Sequence, residues 1–250
     1  MKNLWKSMEN NIVIKNNVER IYRGEYTDFL LPNEKERVIS YLNKSHTKYN
    51  CFTAFEGSNK VIIYTDKYPL VSLLEIKCNN KLKHSDILGS LFNHNISIYK
   101  YGDIIVSNKY YIVVLDSIKK YLIYNLNKIG KYDVKLEEVS LELISNYKYE
   151  YEELSILVNS LRLDVIVSSI TNSSRSQVDI LFKNKYILVN YEVNSKKTYF
   201  LKQGDIISIR RYGKYKFELI EKITNKNKYV IKLLKYKWTD MILISVFNFS

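Results

Sequence analysis

The stretch "SSRSQVDILFKNKYILVN", Ser173 to Asn190, sets an arginine between two serines where a helix starts. Ser173 and Ser174 close the cap-rich run "TNSS", and Val178, Leu181 and Phe182 recur at i, i+3 and i+4. This spacing predicts a short helix with those three residues inward. Arg175 and Ser176 then fall in the first turn on the outer side, with Gln177 close by. Upstream, "LRLDVIVSSI" brings Leu163, Ile166, Val167 and Ile170 to helical spacing and leaves Arg162 off that face. Downstream, "ILVN" reads as a strand. A cation at a helix N-terminus is unfavourable to the helix by up to about 1 kcal/mol. The hydroxyls and unpaired amides of a helix start bond phosphate oxygens, and the arginine fork fits phosphate bidentately. An external anion is the expected complement, against the plainer reading of a solvated surface arginine.

The composition agrees with a polyanionic partner. The 250 residues carry 39 Lys and Arg against 26 Asp and Glu, a formal charge of +13. Nucleic acid is favoured over an anionic membrane. Residues 151–250 hold 17 basic and 9 acidic residues, so the C-terminal part is the more basic. Lys, Asn, Ile and Tyr are all abundant, so base composition of the genome is a competing cause of part of the excess. "MKNLWKSMENN" has no apolar core of a signal peptide, and no apolar run approaches the ~20 residues of a membrane helix. Two cysteines, Cys51 and Cys78, give no disulfide framework. The expectation is a cytoplasmic protein with no membrane partner, and a monomer.

The length allows one large domain or two to three small ones. The first fifty residues read as helical: in "LLPNEKERVISYLNKS", Pro32 opens a helix, Glu34 and Glu36 sit in its first turn, and Val38, Ile39 and Leu42 share a face. "CFTAFEGSNKVIIYTD" reads as two short strands around a turn. Then comes an alternation: strand "LVSLLEIKC", helix "SDILGSLFNH" capped by Ser85 or Asp86, strands "GDIIVSN" and "YYIVVLD", helix "SIKKYLIYNLNKIG" ending at Gly130, strand "YDVKLEEVS". The order β-α-β-β-α-β is the ferredoxin-like pattern, shared by RNA-recognition domains and many others. Tyr110 and Tyr111 are weak substitutes for the aromatic signature of RNA-recognition strands and read as ordinary strand residues. "NYKYEYEEL" reads as a connector or an exposed helix start, and strand-like pieces dominate from Lys196 onward. The fold class expected is α+β: an N-terminal helical/α+β region over 1–68, a ferredoxin-like middle domain over 69–148, a small C-terminal domain over 155–237, and an unassigned tail over 238–250.

Catalytic chemistry is not indicated. The seven glycines form neither G-x-G-x-x-G nor a phosphate loop. His46, His84 and His94 with the two cysteines have no metal-ligand spacing, so neither metal nor cofactor is expected. Cys51 reads as a small core residue. Asp103 and Asp116 stand where turn and cap roles suffice, and Asp164 has no visible partner acid.

Read together, "RLD" leading one helix, "SSRSQV" opening the next, "ILVN" and "LKQGDIISIR" resemble the alpha-L RNA-binding motif, the module of ribosomal protein S-four type, over about Ser160 to Arg210. Lys185 stands where that motif often has Gly, and Val178 where Ala is common. The stretches "SDILGSLFNHNISIYKYGDIIV", "NLNKIGKYDVKLEEV" and "ISIRRYGKYKF" are similar to the YlmH family, over roughly residues 25 to 235. Tyr99 and Lys100 replace a more basic stretch, and Arg211 replaces a Gly. The resemblance implies bacterial, cytoplasmic proteins with a ferredoxin-like domain assigned to RNA and a C-terminal alpha-L domain. It further implies rescue of stalled large ribosomal subunits that still hold peptidyl-tRNA.

The expected function is non-enzymatic binding of structured RNA on the large ribosomal subunit: ribosomal RNA, with tRNA as a second candidate. Arg162, Ser174, Arg175, Ser176 and Gln177 are expected at phosphates and sugars. Lys183, Lys185 and Asn190 would extend the footprint, and Arg210, Arg211 and Lys214 would rim it. The alternatives are an RNA-modifying enzyme, pseudouridine synthase-like, or a cell-division-linked adaptor at a membrane surface.

Overall fold

Ile14, Val18 and Ile21 share one face of helix α1 (Lys2–Tyr22) and meet Val38 and Leu42 of α2 (Pro32–Lys44) in a buried cluster with Leu30 and Ile63. The computed structural model describes residues 2–237, with side chains from Ile12 onward. The expectation for 238–250 lies outside the described residues. Chain contacts divide the protein between Lys148 and Tyr149 into two units.

In the first unit α2 opens on Pro32, as its sequence predicts. Strands β1 (Asn50–Phe52) and β2 (Ile62–Tyr64) pair antiparallel around the Gly57 turn. Next follow β3 (Val71–Lys77), α3 (His84–Asn93), β4 (Tyr101–Val106), β5 (Tyr110–Leu115) and α4 (Asp116–Asn125). After them come the short β6 (Lys128–Ile129) and β7 (Tyr132–Asp133), and then β8 (Lys135–Val139). The four-stranded sheet has the order β4-β5-β3-β8, antiparallel throughout. Its strands arrive in the β-α-β-β-α-β sequence read from the chain.

Several local expectations are corrected. Helix α4 ends at Asn125 and not at Gly130, because β6 and β7 form a hairpin whose turn needs Gly130 at φ +59°. Helix α3 starts at His84, and the Asp86 carboxylate accepts from the Lys83 amide at 2.9 Å. Cys51 is exposed, not a core residue.

Glu34 lies in the first turn of α2 as expected, whereas Asp103 is not a turn acid. Glu34 is buried; it accepts from the Leu31 amide at 2.9 Å and from the Tyr99 hydroxyl at 2.8 Å, and burial pushes its pKa up. Asp103, inside β4, is also buried and accepts from the Ser58 hydroxyl and the Asn59 amide. Between these two acids lies Lys60, wholly buried. Its ammonium donates to the carbonyls of Ile98 and Tyr101, both at 2.6 Å, and stands 4.0 Å from the centre of the Tyr101 ring. Burial lowers its pKa to about 7, opposed by Asp103 and Glu34. Nearby, Gly102 passes so close beneath Phe29 that a Cβ would come within 2.9 Å of the ring and 3.2 Å of Val113. Phe29 thereby packs directly on the β4 backbone at Gly102.

The second unit is one antiparallel six-stranded sheet, order β11-β10-β12-β13-β14-β9, with two helices on its inner face. Its elements are β9 (Tyr151–Val158), α5 (Leu163–Thr171), α6 (Arg175–Lys183), β10 (Ile187–Val189), β11 (Glu192–Val193), β12 (Ile206–Ile209), β13 (Gly213–Ile223) and β14 (Tyr229–Tyr236). The connector reading of "NYKYEYEEL" is corrected. Leu154, Ile156 and Val158 alternate inward, and β9 pairs along its whole length with β14, from Tyr151↔Tyr236 to Val158↔Tyr229. Residues 196–205 form a loop and not a strand.

Lys60 carries a testable pH dependence. Its folded-state pKa near 7 lies below the ordinary 10.5, so between these values the unfolded chain holds a proton that the folded chain has released. Stability then rises with pH across that window, with a slope of up to about 1.4 kcal/mol per pH unit. Denaturant midpoints should increase from pH 7 to pH 9. Lys60→Met should lose that slope and, with two carbonyls left without their donor, be about 2 kcal/mol less stable at pH 9.

Candidate functional site

The α5–α6 corner is built by its caps. Helix α5 ends at Asn172 in the left-handed region, φ 48°, and the Ser168 hydroxyl donates to the Ser173 carbonyl at 2.7 Å. Ser174 then caps α6: its hydroxyl accepts from the Gln177 amide at 3.4 Å, while its own amide donates to Gln177 Oε1 at 2.9 Å. This reciprocal pair is a capping box. Ser174 and Gln177, expected at phosphates, are therefore engaged in holding the helix start.

Val178 and Phe182 are buried against the sheet. Four-residue spacing then puts Arg175, Asp179 and Lys183 along an exposed ridge of the helix. The acid of that ridge is neutralised from the following loop, since Lys197 Nζ reaches Asp179 at 2.6 Å. Among the described residues Arg175 has no side-chain partner. The Arg175 and Ser176 amides, the first two of the helix, point out of its N-terminus. The ridge thus presents two cations with its carboxylate already paired.

Beyond α6 the chain turns through Lys185, at φ +58°, the left-handed position where glycine is usual. Arg210, at the end of β12, donates its amide to the Tyr186 carbonyl at 2.9 Å and lays its guanidinium 4.6 Å from the Tyr186 ring centre. Arg211 follows, exposed, at φ +71°. The structure therefore places Lys183, Lys185 and the Arg210–Arg211 pair toward the C-terminal end of α6, about 12 Å along the helix from Arg175.

Three expected residues do not join this strip as open contacts. Arg162 holds Asp164 with two bonds, Nε to Oδ1 at 3.1 Å and Nη2 to Oδ2 at 2.7 Å, so part of its fork is already occupied. Asn190 and Tyr191 form a two-residue turn between β10 and β11, with φ of 49° and 69°. The Asn190 amide group donates to Asp205 at 2.8 Å and its oxygen accepts from the Ile206 amide at 2.9 Å. Both ends of the side chain thus brace the fold. Lys214 is buried, not on a rim: it donates to the Tyr191 hydroxyl at 2.8 Å and stands 4.7 and 4.4 Å from the Tyr191 and Tyr236 rings. Sequence reading missed Lys197 and Tyr186. The signal for Lys197 is its place in the basic pair Lys196–Lys197, at the mouth of a loop.

The three acids considered for catalysis are all engaged. Asp103 is buried with Ser58 and Asn59, and Asp164 is held by Arg162. Asp116 is bonded by Lys119 and Ser72, which hold its carboxyl below the usual range. In the four-stranded sheet, the buried Glu75 takes ion pairs from Lys77 and Lys109, each at 3.1 Å. Burial raises its pKa, but the two lysines outweigh this and leave it below the usual range. That sheet face carries paired charge and no open aromatic platform. Among the described residues no helix is long and apolar enough to cross a membrane.

Comparison with known proteins adds three findings. Residues 66–143 match the family profile described as "Putative RNA-binding domain in YlmH". The chain is 28% identical over 236 residues to ribosome-associated protein quality control protein P2 of Bacillus subtilis (strain 168), with 88% of this chain and 90% of that protein covered. A solved structure, cell division protein ylmH from Streptococcus pneumoniae, aligns at 24% identity over 55% of this chain and 94% of its own, with a TM-score of 0.45.

Two substitutions separate fold from surface. Asn190→Ala, which takes one donor from Asp205 and the side-chain acceptor from the Ile206 amide, should lower unfolding free energy by about 1–3 kcal/mol. Arg175→Gln, on the exposed ridge, should change it by no more than about 0.5 kcal/mol. Chemical denaturation of both variants beside the parent chain is the check.

Proposed function

We propose that this chain, whose residues 66–143 match the RNA-binding-domain profile of YlmH, is a member of the YlmH family and a non-enzymatic RNA-binding protein that works on the ribosome. In this reading the second unit is an alpha-L RNA-binding domain, the middle domain is ferredoxin-like, and the RNA is structured ribosomal RNA of the large subunit, with tRNA as a second contact. The setting is rescue or quality control of stalled ribosomes in the cytoplasm, and the protein acts as a monomer without a cofactor.

The observation that carries the reading is the unpartnered Arg175 on an exposed helix start, in line with Lys183 and continued by Lys185, Arg210 and Arg211. The arginine is unfavourable to its own helix and is turned outward by the Ser174–Gln177 cap. A phosphate seated there would meet two helix amides, the Ser176 hydroxyl and a guanidinium fork. Such contacts position RNA by shape and charge and do not read its bases. Engagement of Asp103, Asp116 and Asp164 by neighbouring side chains supports the non-enzymatic reading over an RNA-modifying one.

Binding of this kind weakens steeply with salt. The protein should co-sediment with free large subunits in a sucrose gradient at low salt and leave them as salt rises. Arg175→Glu, correctly folded, should weaken that association at least tenfold, because it places a negative charge where the phosphate sits. Co-sedimentation equal to the parent chain's would remove the α6 ridge from the interface.

A further inference from the structure

Strands β13 and β14 form a long hairpin ribbon, with β9 paired along the other side of β14, and the β13 side of it becomes exposed toward the turn. Phe217 is 1% exposed, whereas Ile220 and Ile223 are 41% and 59% exposed. From Phe217 to Ile223 the ribbon advances roughly 20 Å. Its turn is ordered by its own bonds. The Thr224 amide donates to the Lys228 carbonyl at 2.8 Å, the Asn227 amide to the Thr224 carbonyl at 2.9 Å, and the Lys228 amide to the Thr224 hydroxyl at 3.1 Å.

The lysines of this ribbon fall into two sets. Near its base each has a partner. Lys216 pairs with Glu218 at 2.8 Å, Lys232 with Glu153 at 2.7 Å, Lys235 with Glu152 at 3.6 Å and Lys237 with Glu150 at 3.3 Å, while Lys214 lies in its tyrosine cage. At the tip, Lys222, Lys226 and Lys228 have no ion-pair partner among the described residues, and the segment from Lys222 to Lys228 contains no acid. Glu221, just before it, is the nearest acid in the chain. Charge is neutralised along the ribbon and left bare at its end, where repulsion among three lysines weakens the turn. Long exposed strand ends of this kind invite association unless they carry charge. Lysines that serve that end alone need no turn braced by its own bonds beside them.

We infer that the β13–β14 tip is a second phosphate-binding contact, in which Lys222, Lys226 and Lys228 hold the sugar–phosphate backbone of structured RNA apart from the α6 ridge. This rests on the reading that the chain binds RNA. Lysine suits the task as a mobile point charge that needs no fixed phosphate geometry. The exposed Ile223 beside it offers an apolar contact to a ribose or base.

The test compares Lys222→Gln/Lys226→Gln/Lys228→Gln with Arg175→Gln and the parent chain, using large-subunit ribosomal RNA transcribed in vitro as the probe. Each log K against log salt gives a slope close to 0.9 per phosphate neutralised. The tip variant should melt like the parent, bind at least tenfold more weakly at 0.1 M salt, and show a slope smaller in magnitude by about 2 to 3. Arg175→Gln should lower the slope by about 1, and the combined variant by the sum. A tip variant with the parent's slope, while Arg175→Gln loses its share, overturns the inference and leaves the ridge standing. The same holds if affinity falls with no change in slope, since the loss is then structural. Failure of the parent chain to bind the RNA at all would overturn the RNA reading together with the tip.

Discussion

Burial of Val178 and Phe182 is the constraint on which the surface of the second unit depends. With those two side chains held against the sheet, the helical period decides which residues of α6 meet solvent. Arg175, Asp179 and Lys183 have no other place to go. The capping box then fixes where the helix begins, and so which amides stay unpaired at its start. In the proposed function Ser174 and Gln177 act on the phosphate contact by holding the helix start. Removal of either would blur the position of Arg175 before it removed any direct contact.

The first unit depends on a different balance. A lysine has been placed inside, between the N-terminal helices and the four-stranded sheet, with two carbonyls as its near partners and two buried acids in its field. Phe29 over Gly102 and Asp28 between Arg20 and Lys100 join the same two parts, the latter with ion pairs of 2.7 and 2.9 Å. These contacts tie residues from before and after β2 into one structure. They join residues on both sides of position 68 within the unit that spans residues 1–148.

Legibility in the sequence followed the range of the interaction. The start of α2 at Pro32, the inward face of α6, its Ser174 cap and the β-α-β-β-α-β order all rest on residues within a few positions of each other, and they were readable. Asp103, Asn190 and Lys214 are misread in the sequence because their partners are Ser58, Asp205 and Tyr191, between 15 and 45 residues away. A polar residue that satisfies a distant group looks the same in sequence as one facing water. For the site, the basic strip was legible in outline from helix periodicity. Which of its members already had partners was not, as Arg162 with Asp164 and Lys197 with Asp179 illustrate.

The pairing of β9 with β14 has a consequence for how the chain is made. Tyr151 and Tyr236 are partners at opposite ends of the second unit, while α5, α6 and the β10–β12 strands find their neighbours locally. During synthesis β9 emerges first and must wait for β14, with Leu154, Ile156 and Val158 uncovered in the meantime. Closure over that span is slow compared with the helix pair. The α5–α6 corner can therefore take shape on the nascent chain before the sheet that supports it is complete.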